Sequence, residues 1–482
     1  MPAAGRVRAI AAGTIGRAVR SGRVIGEVTI GLVRLGRAIP LGRLSTYRII
    51  RRDGLTVSAL VSIAAVKDPT GIALIDDDGP VSYAELDRLA DARAYELAPN
   101  ARHAVAQPNH RSLVIAICAA LRVHADVVLL DPTVPGRLPF TSLKGSWPRK
   151  GPGRVVLQTS GSTGQAKEVE RGDVRLGQAV PVASLVRWMP LKPGMPMVVT
   201  PPLWHGFGLG FLALGLAFGM PVVLGRRLDA VRVAAYLKEN PGCVLVGVPP
   251  VLARVERAGG AAEVAAVVSG AGLLHPSVAA RLTASYGPVL FNLYGSSEEG
   301  WSTIARPADL EAAPGTIGRP AAGVRVAVLD DDGRRLPPYE VGHLCVSSRL
   351  EFEQYSGGGR RSRLGGLADS GDLGHRDEAG RFFVDGRADD MVVTGGENVF
   401  LTEVEDVLLR HPAVAEARVD GVPDEEFGAR LEASVVLRAA ATADEVIAFA
   451  RERLARAKVP RKVTFVESLP TTSTGKPGRR VT

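Results

Sequence analysis

Cysteine is scarce. Cys118, Cys243 and Cys345 are the only three in 482 residues, and no two of them form a CxxC. That excludes a disulfide scaffold and leaves neither a cysteine zinc site nor a redox pair to read. Reduced thiols in a cytosol are the plain expectation. Aromatic content is only 5%, so a single aromatic side chain is explained as readily by core packing as by a binding pocket. The N-terminus has arginines but no unbroken apolar stretch of the kind a secretory signal needs. Pro193–Gly225 lacks formal charge and is long enough to cross a bilayer, yet Gly206–Gly225 is interrupted by glycines and by Pro221. A buried helix turning at Gly219–Met220–Pro221 into a strand Val222–Leu224 is expected instead.

Acids are nearly absent from the first sixty residues. That segment has eleven of the chain's 59 basic residues, all arginine, and two of its 50 acids, Glu27 and Asp53. It therefore carries the whole net charge of +9, and the other 422 residues are balanced. A basic body that grips nucleic acid is disfavoured. Residues 1–60 also carry a weak repeat, GRAVRSGR at 16–23 and GRAIPLGR at 36–43. Regular glycines argue against one continuous helix there. The readings are a solvated or loosely packed extension, or an amphipathic segment for an anionic membrane surface. An organellar targeting peptide competes, but the segment is long and poor in serine.

What is present beyond residue 60 is globular, with 46% hydrophobic and 23% charged residues overall. Short apolar runs such as Val244–Val246 and Val264–Ser269 alternate with amphipathic stretches such as Asp229–Lys238 and Pro276–Tyr286. That pattern predicts an α/β fold with parallel sheets covered on both faces. Ser82 with Glu85, and Thr442 with Glu445, read as capping boxes. After Pro314, Asp-Gly and Pro turns separate short strands. A smaller α+β unit follows Asp389, with helices expected at Thr402–Arg410 and Ala443–Ala457. The expected domains are an extension at 1–60, a large domain at 61–388 and a small one at 389–482.

Five clusters carry chemistry. Gln158-Thr-Ser-Gly-Ser-Thr-Gly-Gln-Ala-Lys167 follows a predicted strand and gathers hydroxyls, glycines and a lysine into a phosphate cradle by composition. It is not a Walker A loop, because Ala166 stands where that motif has glycine. Asn292-Leu-Tyr-Gly-Ser-Ser-Glu298-Glu299 also follows a strand. It reads as a helix start capped by Ser296, or as a carboxylate for Mg²⁺ beside a polyphosphate. The third cluster is Ser370-Gly-Asp372 with Asp385-Gly-Arg387-Ala-Asp389. The others are Thr394-Gly-Gly-Glu-Asn398 and Thr472-Ser-Thr-Gly-Lys476.

In their order and spacing the five clusters resemble the adenylate-forming superfamily of acyl- and aryl-CoA synthetases, peptide-synthetase adenylation domains and luciferases. The resemblance runs from about Ile72 to Arg480. It implies a large N-terminal domain of sandwiched βα sheets with a barrel-like subdomain, and a small mobile C-terminal domain over the active site. It implies that a carboxylate attacks the α-phosphate of ATP to give an acyl-adenylate and pyrophosphate, and that a thiol then displaces AMP. Thr159, Ser160, Gly161, Ser162, Thr163, Gly164 and Lys167 would hold the β- and γ-phosphates. Glu298 would bind Mg²⁺, and Ser297 would touch the α-phosphate. Asn292 and Tyr294 would flank the adenine, with Gly270, Ala271 and Gly272 as a further wall and Gly295 also at the nucleotide. Asp372 and Arg387 would hold the ribose. Lys476 would bridge the reacting carboxylate and α-phosphate. Asp389 matches the hinge whose rotation would bring Gly395, Gly396, Glu397 and Asn398 to the site for thiol transfer.

His205 matches the position where CoA-forming relatives often have histidine and amino-acid-activating ones have aspartate. With Trp204, Phe207, Val248 and Ala271 as pocket wall, a hydrophobic carboxylic acid is the expected substrate. Coenzyme A is the expected acceptor, and a carrier protein or separate transferase is the alternative. Departures are Ala166-Lys167-Glu168 where the loop usually reads Pro-Lys-Gly, His343 in place of a common glutamate, and a short span from Asp131 to Gln158. The expectation is a cytoplasmic enzyme using ATP, Mg²⁺ and coenzyme A, with peripheral membrane contact through residues 1–60 and no nucleic acid. A non-catalytic membrane-associated protein would need all five clusters to be idle.

Overall fold

The computed structural model describes residues 22–143, 151–159, 167–170, 178–226, 228–259, 262–296, 299–348, 362–394, 396–424 and 427–470. A fourteen-stranded sheet runs through the large domain. One half is parallel, with Leu290–Ser296, Val264–Gly270, Cys243–Gly247, Met197–Val199, Val222–Val223 and Ile72–Asp76 side by side. Alternate residues of these strands enter two different cores. Val244, Val246 and Val268 face one with the helix Gly206–Phe218. Cys243, Leu245 and Val267 face the other, under the helices Ala230–Glu239, Pro249–Arg257 and Pro276–Tyr286. Burial on both sides is why these strands read as continuous apolar runs.

The other half of this sheet is antiparallel, through Gly300–Ala305, Thr316–Pro320, Phe382–Arg387, Leu367–Arg376, Gly342–Ser347 and Arg325–Leu329. It corresponds to the expected barrel-like part. A second sheet of five strands is ordered Phe140–Leu143, Arg102–Val105, Asp126–Leu129, Val155–Thr159 and Lys167–Glu170. Its three middle strands are parallel. The chain leaves the large sheet at Arg387, makes a 3₁₀ turn at Ala388–Asp390 and enters a separate hairpin, Met391–Thr394 with Glu397–Phe400. A three-stranded sheet and the helices Leu401–Leu409 and Ala443–Arg451 complete the small unit.

Three local expectations are corrected. The strand ending near Asn292 continues to Ser296 and turns back as Gly300–Ala305, so no helix starts at Ser296. Ser296 Oγ does accept from the Glu299 amide at 3.1 Å, a cap-like bond used in a hairpin. The helix from Ala443 ends at Arg451, six residues early, and the chain turns so that Lys462–Phe465 pairs in parallel with Gly428–Leu437.

The third correction concerns the N-terminal segment. From Gly22 it is helical and packed, as Gly22–Ala38 and Leu44–Asp53. Gly31 permits the packing, because a Cβ there would lie 2.0 Å from the carbonyl oxygen of Ala183. Gly31 lies where another helix, Ala179–Trp188, crosses this one closely, whereas Gly36 is exposed with open space around it. Arg34 reaches past the end of that second helix. Its Nη1 donates to the Val186 and Met189 carbonyls, the latter at 2.8 Å, and its Nη2 donates to the Leu191 carbonyl at 2.9 Å. Carbonyls left open at a helix C-terminus are thereby satisfied. Residues 1–21 lie outside the described residues. The uncharged segment folds as expected, with Gly219 in the left-handed conformation ending the helix Gly206–Phe218. Among the described residues no helix is long and apolar enough to cross a membrane.

Candidate active site

The Ser/Gly loop is closed by a hairpin. Val155–Thr159 and Lys167–Glu170 pair antiparallel, with Thr159 opposite Lys167. The ends of the loop therefore meet at the carboxyl end of a strand whose other neighbour, Asp126–Leu129, is parallel to it. Carboxyl ends of parallel strands are where open α/β sheets bind ligands. Ser160, Gly161, Ser162, Thr163 and Gly164 lie outside the described residues, and Thr159 and Lys167 are described by their backbone alone.

The second and third clusters meet in space. Tyr294, on Leu290–Ser296, donates its phenol proton to Asp372 Oδ2 at 2.6 Å. Asp372 and Arg387 are register partners on adjacent strands, and Arg387 Nη1 donates to Asp372 Oδ1 at 3.2 Å. Arg387 Nε donates in turn to Asp389 Oδ1 at 3.1 Å. Burial, followed by the charge of Asp372, pushes the Tyr294 phenol well above its usual range, so it stays a neutral donor. Ser370 anchors the bend: its Oγ donates to the Leu344 carbonyl at 2.7 Å and accepts from the Asp372 amide at 3.1 Å. A Cβ on Gly371 would come 3.0 Å from Arg387 Nη2, so the guanidinium lies directly over the backbone of this turn. A carboxylate and a guanidinium held this way present acceptors and donors together, as a ribose diol needs.

The third wall is also assembled. Gly270 ends the strand Val264–Gly270, and a Cβ there would meet the Phe207 ring at 2.7 Å. Phe207 and the Gly270–Gly272 turn are thus in contact. Ala271 has a φ of 57°, which turns the backbone sharply after the strand. Phe207 and Ala271 are half-buried, whereas Trp204 and Val248 are buried, Trp204 in the main core. Of the four expected wall residues, only the first two are presented at a surface. Trp301 is a wall candidate that the sequence did not flag. Its ring is 6.1 Å from that of Phe211 and 3.3 Å from where a Cβ on Gly210 would lie. Strand pairing across the Ser296–Gly300 turn brings it there, and no local pattern announces it.

Other residues have different surroundings from those expected. Asn292 is 3% exposed, and its Nδ2 donates to the Thr316 carbonyl at 3.2 Å, tying two strands together. Gly295 is needed where the hairpin strands approach, since a Cβ would lie 1.9 Å from the Gly300 carbonyl oxygen. His205 is the N-cap residue of Gly206–Phe218, and its ring lies 6.3 Å from that of Trp204. Asp389 sits in the one short turn between the large sheet and the hairpin. Gly396, Glu397 and Asn398 are exposed at the hairpin tip. Gly395, Ser297, Glu298 and Lys476 lie outside the described residues.

A cleft of about 910 Å³ separates the large and small units, with Gly272, His275, Arg387, Asp389, Glu405 and Lys462 among its lining residues. Its far rim is pinned by charge. Arg254 grips Glu416 through two hydrogen bonds, 2.8 and 2.9 Å, and Arg257 adds one at 2.9 Å. The Asp406 carboxylate accepts from the Ser277 amide at 3.0 Å, near the start of the helix Pro276–Tyr286. Sequence reading missed this interface. Arg254 and Arg257 are one turn apart on a helix, but nothing local points them at Glu416.

Asp76, Asp78 and His110 also converge, within 4.8 Å of one another. Arg111 is paired with Asp76, and Arg226 Nη2 lies 3.1 Å from His110 Nε2, so guanidinium groups already occupy the place a cation would take. Cys118, Cys243 and Cys345 are buried and in no disulfide, and burial pushes the Cys243 thiol up to about 11.

Comparison with known proteins identifies the family. The family described as AMP-binding enzyme matches residues 149–356, and that described as AMP-binding enzyme C-terminal domain matches residues 403–476. A medium/long-chain-fatty-acid–CoA ligase of Mycobacterium tuberculosis is 31% identical over 350 residues, covering 67% of this chain and 60% of that protein. The match therefore spans well under two thirds of that relative's length. A 2-succinylbenzoate–CoA ligase of Bacillus cereus is 30% identical over 336 residues, covering 68% of each chain. The solved structure of o-succinylbenzoate CoA synthetase from Bacillus subtilis, bound to its acyl-adenylate, shares the fold with a TM-score of 0.70. It is 24% identical, and the alignment covers 87% of this chain and 96% of that one. The chain belongs to the adenylate-forming, AMP-binding enzyme family.

Proposed function

We propose that the protein activates a hydrophobic carboxylic acid with ATP, forming an acyl-adenylate, and passes the acyl group to the thiol of coenzyme A. The observation that carries this reading is the Tyr294–Asp372–Arg387 cluster. It draws two sequence motifs into one polar site next to the 3₁₀ turn at Asp389. In this reading Asp372 and Arg387 take the ribose, and the Thr159–Lys167 loop takes the β- and γ-phosphates. Glu298 holds Mg²⁺, which supplies charge neutralisation when two anions meet. Lys476 aligns the carboxylate with the α-phosphate. Phe207 and Ala271 border the acyl pocket, which supports an apolar acid. Rotation about Asp389 exchanges Lys476 for the Gly395–Asn398 tip. Buried cysteines in no disulfide fit a reducing cytoplasm.

A second reading keeps the adenylation half and changes the acceptor to a carrier protein or a separate transferase. It is favoured by the altered Ala166-Lys167-Glu168 sequence and by the short span from Asp131 to Gln158. Incubation with ATP, Mg²⁺, coenzyme A and a panel of fatty and aryl acids, read by mass spectrometry, separates the two. Acyl-CoA formation supports the first reading. Acyl-adenylate that accumulates with coenzyme A present supports the second.

A further inference from the structure

The first two described helices present an unusual outer surface. Of the fifteen exposed large hydrophobic residues among the described residues, five lie between positions 30 and 47. They are Ile30, Val33, Leu41, Leu44 and Tyr47, and Leu44 and Tyr47 are 63% and 55% exposed. Their spacing explains the exposure. On Gly22–Ala38, Ile30, Val33 and Arg37 recur at one helical face, while Val28, Gly31 and Ala38 are buried on the opposite one. On Leu44–Asp53, Leu44, Tyr47, Arg48 and Arg51 share the outer face, while Thr46 and Asp53 are buried. Leu41 and Arg43 are exposed in the turn between the helices.

The stretch itself supplies no acid beside these arginines. Residues 28–52 contain no Asp or Glu, and the Asp53 carboxylate is buried and held by Arg52 through bonds of 2.7 Å. Residues 1–21, which run directly into the first helix, add Arg6, Arg8, Arg17 and Arg20 and again no acid. A solvated helix face needs no apolar side chains, and a phosphate-binding face needs arginines alone. Interleaved aliphatic, tyrosine and arginine side chains match a layered partner with an anionic skin and an apolar interior.

We propose that this face, centred on Leu44, Tyr47 and Arg48, docks on a bilayer surface that contains anionic phospholipid. The helices lie in the headgroup layer. The arginines pair with lipid phosphates, and the apolar side chains enter the acyl boundary. The large domain stays in water, held to the helices through Arg34 and the Gly31 crossing. This inference does not depend on the proposed acid or acceptor.

The test is co-sedimentation of the full chain with vesicles of phosphatidylcholine alone and of phosphatidylcholine with phosphatidylglycerol, at low and high salt. Binding is expected only to the mixed vesicles and is expected to weaken at high salt. The variant R43Q/R48Q/R51Q is expected to bind about a hundredfold more weakly, at roughly a tenfold loss for each one or two arginines. L44S/Y47S is expected to leave a weak attachment that high salt abolishes. Both variants change exposed residues, and unchanged thermal melting checks that they remain folded. Equal binding to neutral vesicles, unchanged binding by the arginine variant, or no binding to either vesicle would overturn the proposal. The last of these results would instead point the same face at an acidic protein.

Discussion

The phenol of Tyr294 and the carboxylate of Asp372 are 2.6 Å apart, although 78 residues separate them in the chain. Each belongs to a motif that is weak alone, and the bond fixes their relative position. Because Arg387 holds the other carboxylate oxygen, removing the phenol leaves Asp372 in place but less constrained. Tyr294→Phe is expected to weaken ATP binding by about three- to tenfold, the range of one net hydrogen bond. Asp372→Asn is expected to cost more, since it also removes the carboxylate charge facing Arg387 and leaves that guanidinium with Asp389. Equilibrium nucleotide binding measures both, and a wild-type affinity in each variant would contradict the site.

Glu416 locks the small unit onto the large one. Burial alone would raise its carboxyl, but the hydrogen bonds and charge of Arg254, with the charge of Arg257, outweigh that and hold it below the usual carboxylate range. The carboxyl is lower in the folded protein, so the stabilisation is present above the ordinary value of 4.5 and is lost as pH falls through the folded value. Glu416→Gln is expected to loosen the interface by about 1–3 kcal/mol. Limited proteolysis at Arg387–Asp390 then becomes faster near neutral pH. The variant and the wild type should converge in acid, and a constant difference across pH would count against the lock.

Glu405 behaves in the opposite sense. Burial is the main cause that raises its carboxyl from 4.5 to about 7, and the backbone amide of Val419 offsets only part of it. The folded state therefore keeps a proton that the unfolded chain gives up, so stability falls as pH rises from about 4.5 to about 7. Glu405→Gln removes this dependence and is expected to gain up to about 3 kcal/mol above pH 7. Thermal melting of both proteins across that window is the check. A wild-type melting temperature that rises between pH 5 and about 7 while the variant's stays flat would show the reverse sign.

Arg34 and Gly31 join the N-terminal helix to the body. Arg34→Met leaves the carbonyls of Met189 and Leu191 without this donor and is expected to cost about 1–3 kcal/mol. Gly31→Val forces the helices apart at Ala183 and is expected to cost at least as much. Chemical denaturation measures both. If neither variant changes stability, residues 22–53 are not part of the cooperative unit.

Local signals in the sequence were sufficient where physics is local. Thr442 forms its capping box with Glu445 as the spacing predicted, Ser82 caps its helix through the Glu85 amide alone, and the parallel strands and their covering helices fall within a few residues of expectation. The uncharged segment turned at Gly219 for the stated reason. Failures came where distant partners decide. The strand Lys167–Glu170 exists because Val155–Thr159 lies beside it, and Ser296 leads into a hairpin because Gly300–Ala305 has an edge to join. The glycines of the first helix weaken a helix in isolation, yet Gly31 is what lets this one pack. At the site, motif order pointed to Tyr294, Asp372 and Arg387, which the structure brings together. It did not reveal that Asn292 is buried under Thr316, or that Trp301 stands near the helix behind Phe207.

The central claim is that the chain joins a carboxylic acid to AMP through Lys476. ATP–pyrophosphate exchange across fatty, aryl and polycyclic acids tests it most directly, with wild type and Lys476→Ala side by side. The account predicts exchange that requires both the acid and Mg²⁺, and a loss of at least about a hundredfold in the variant, as expected when a charge that stabilises the transition state is removed. Exchange at the wild-type rate in Lys476→Ala, or none with any acid in the panel, would contradict it.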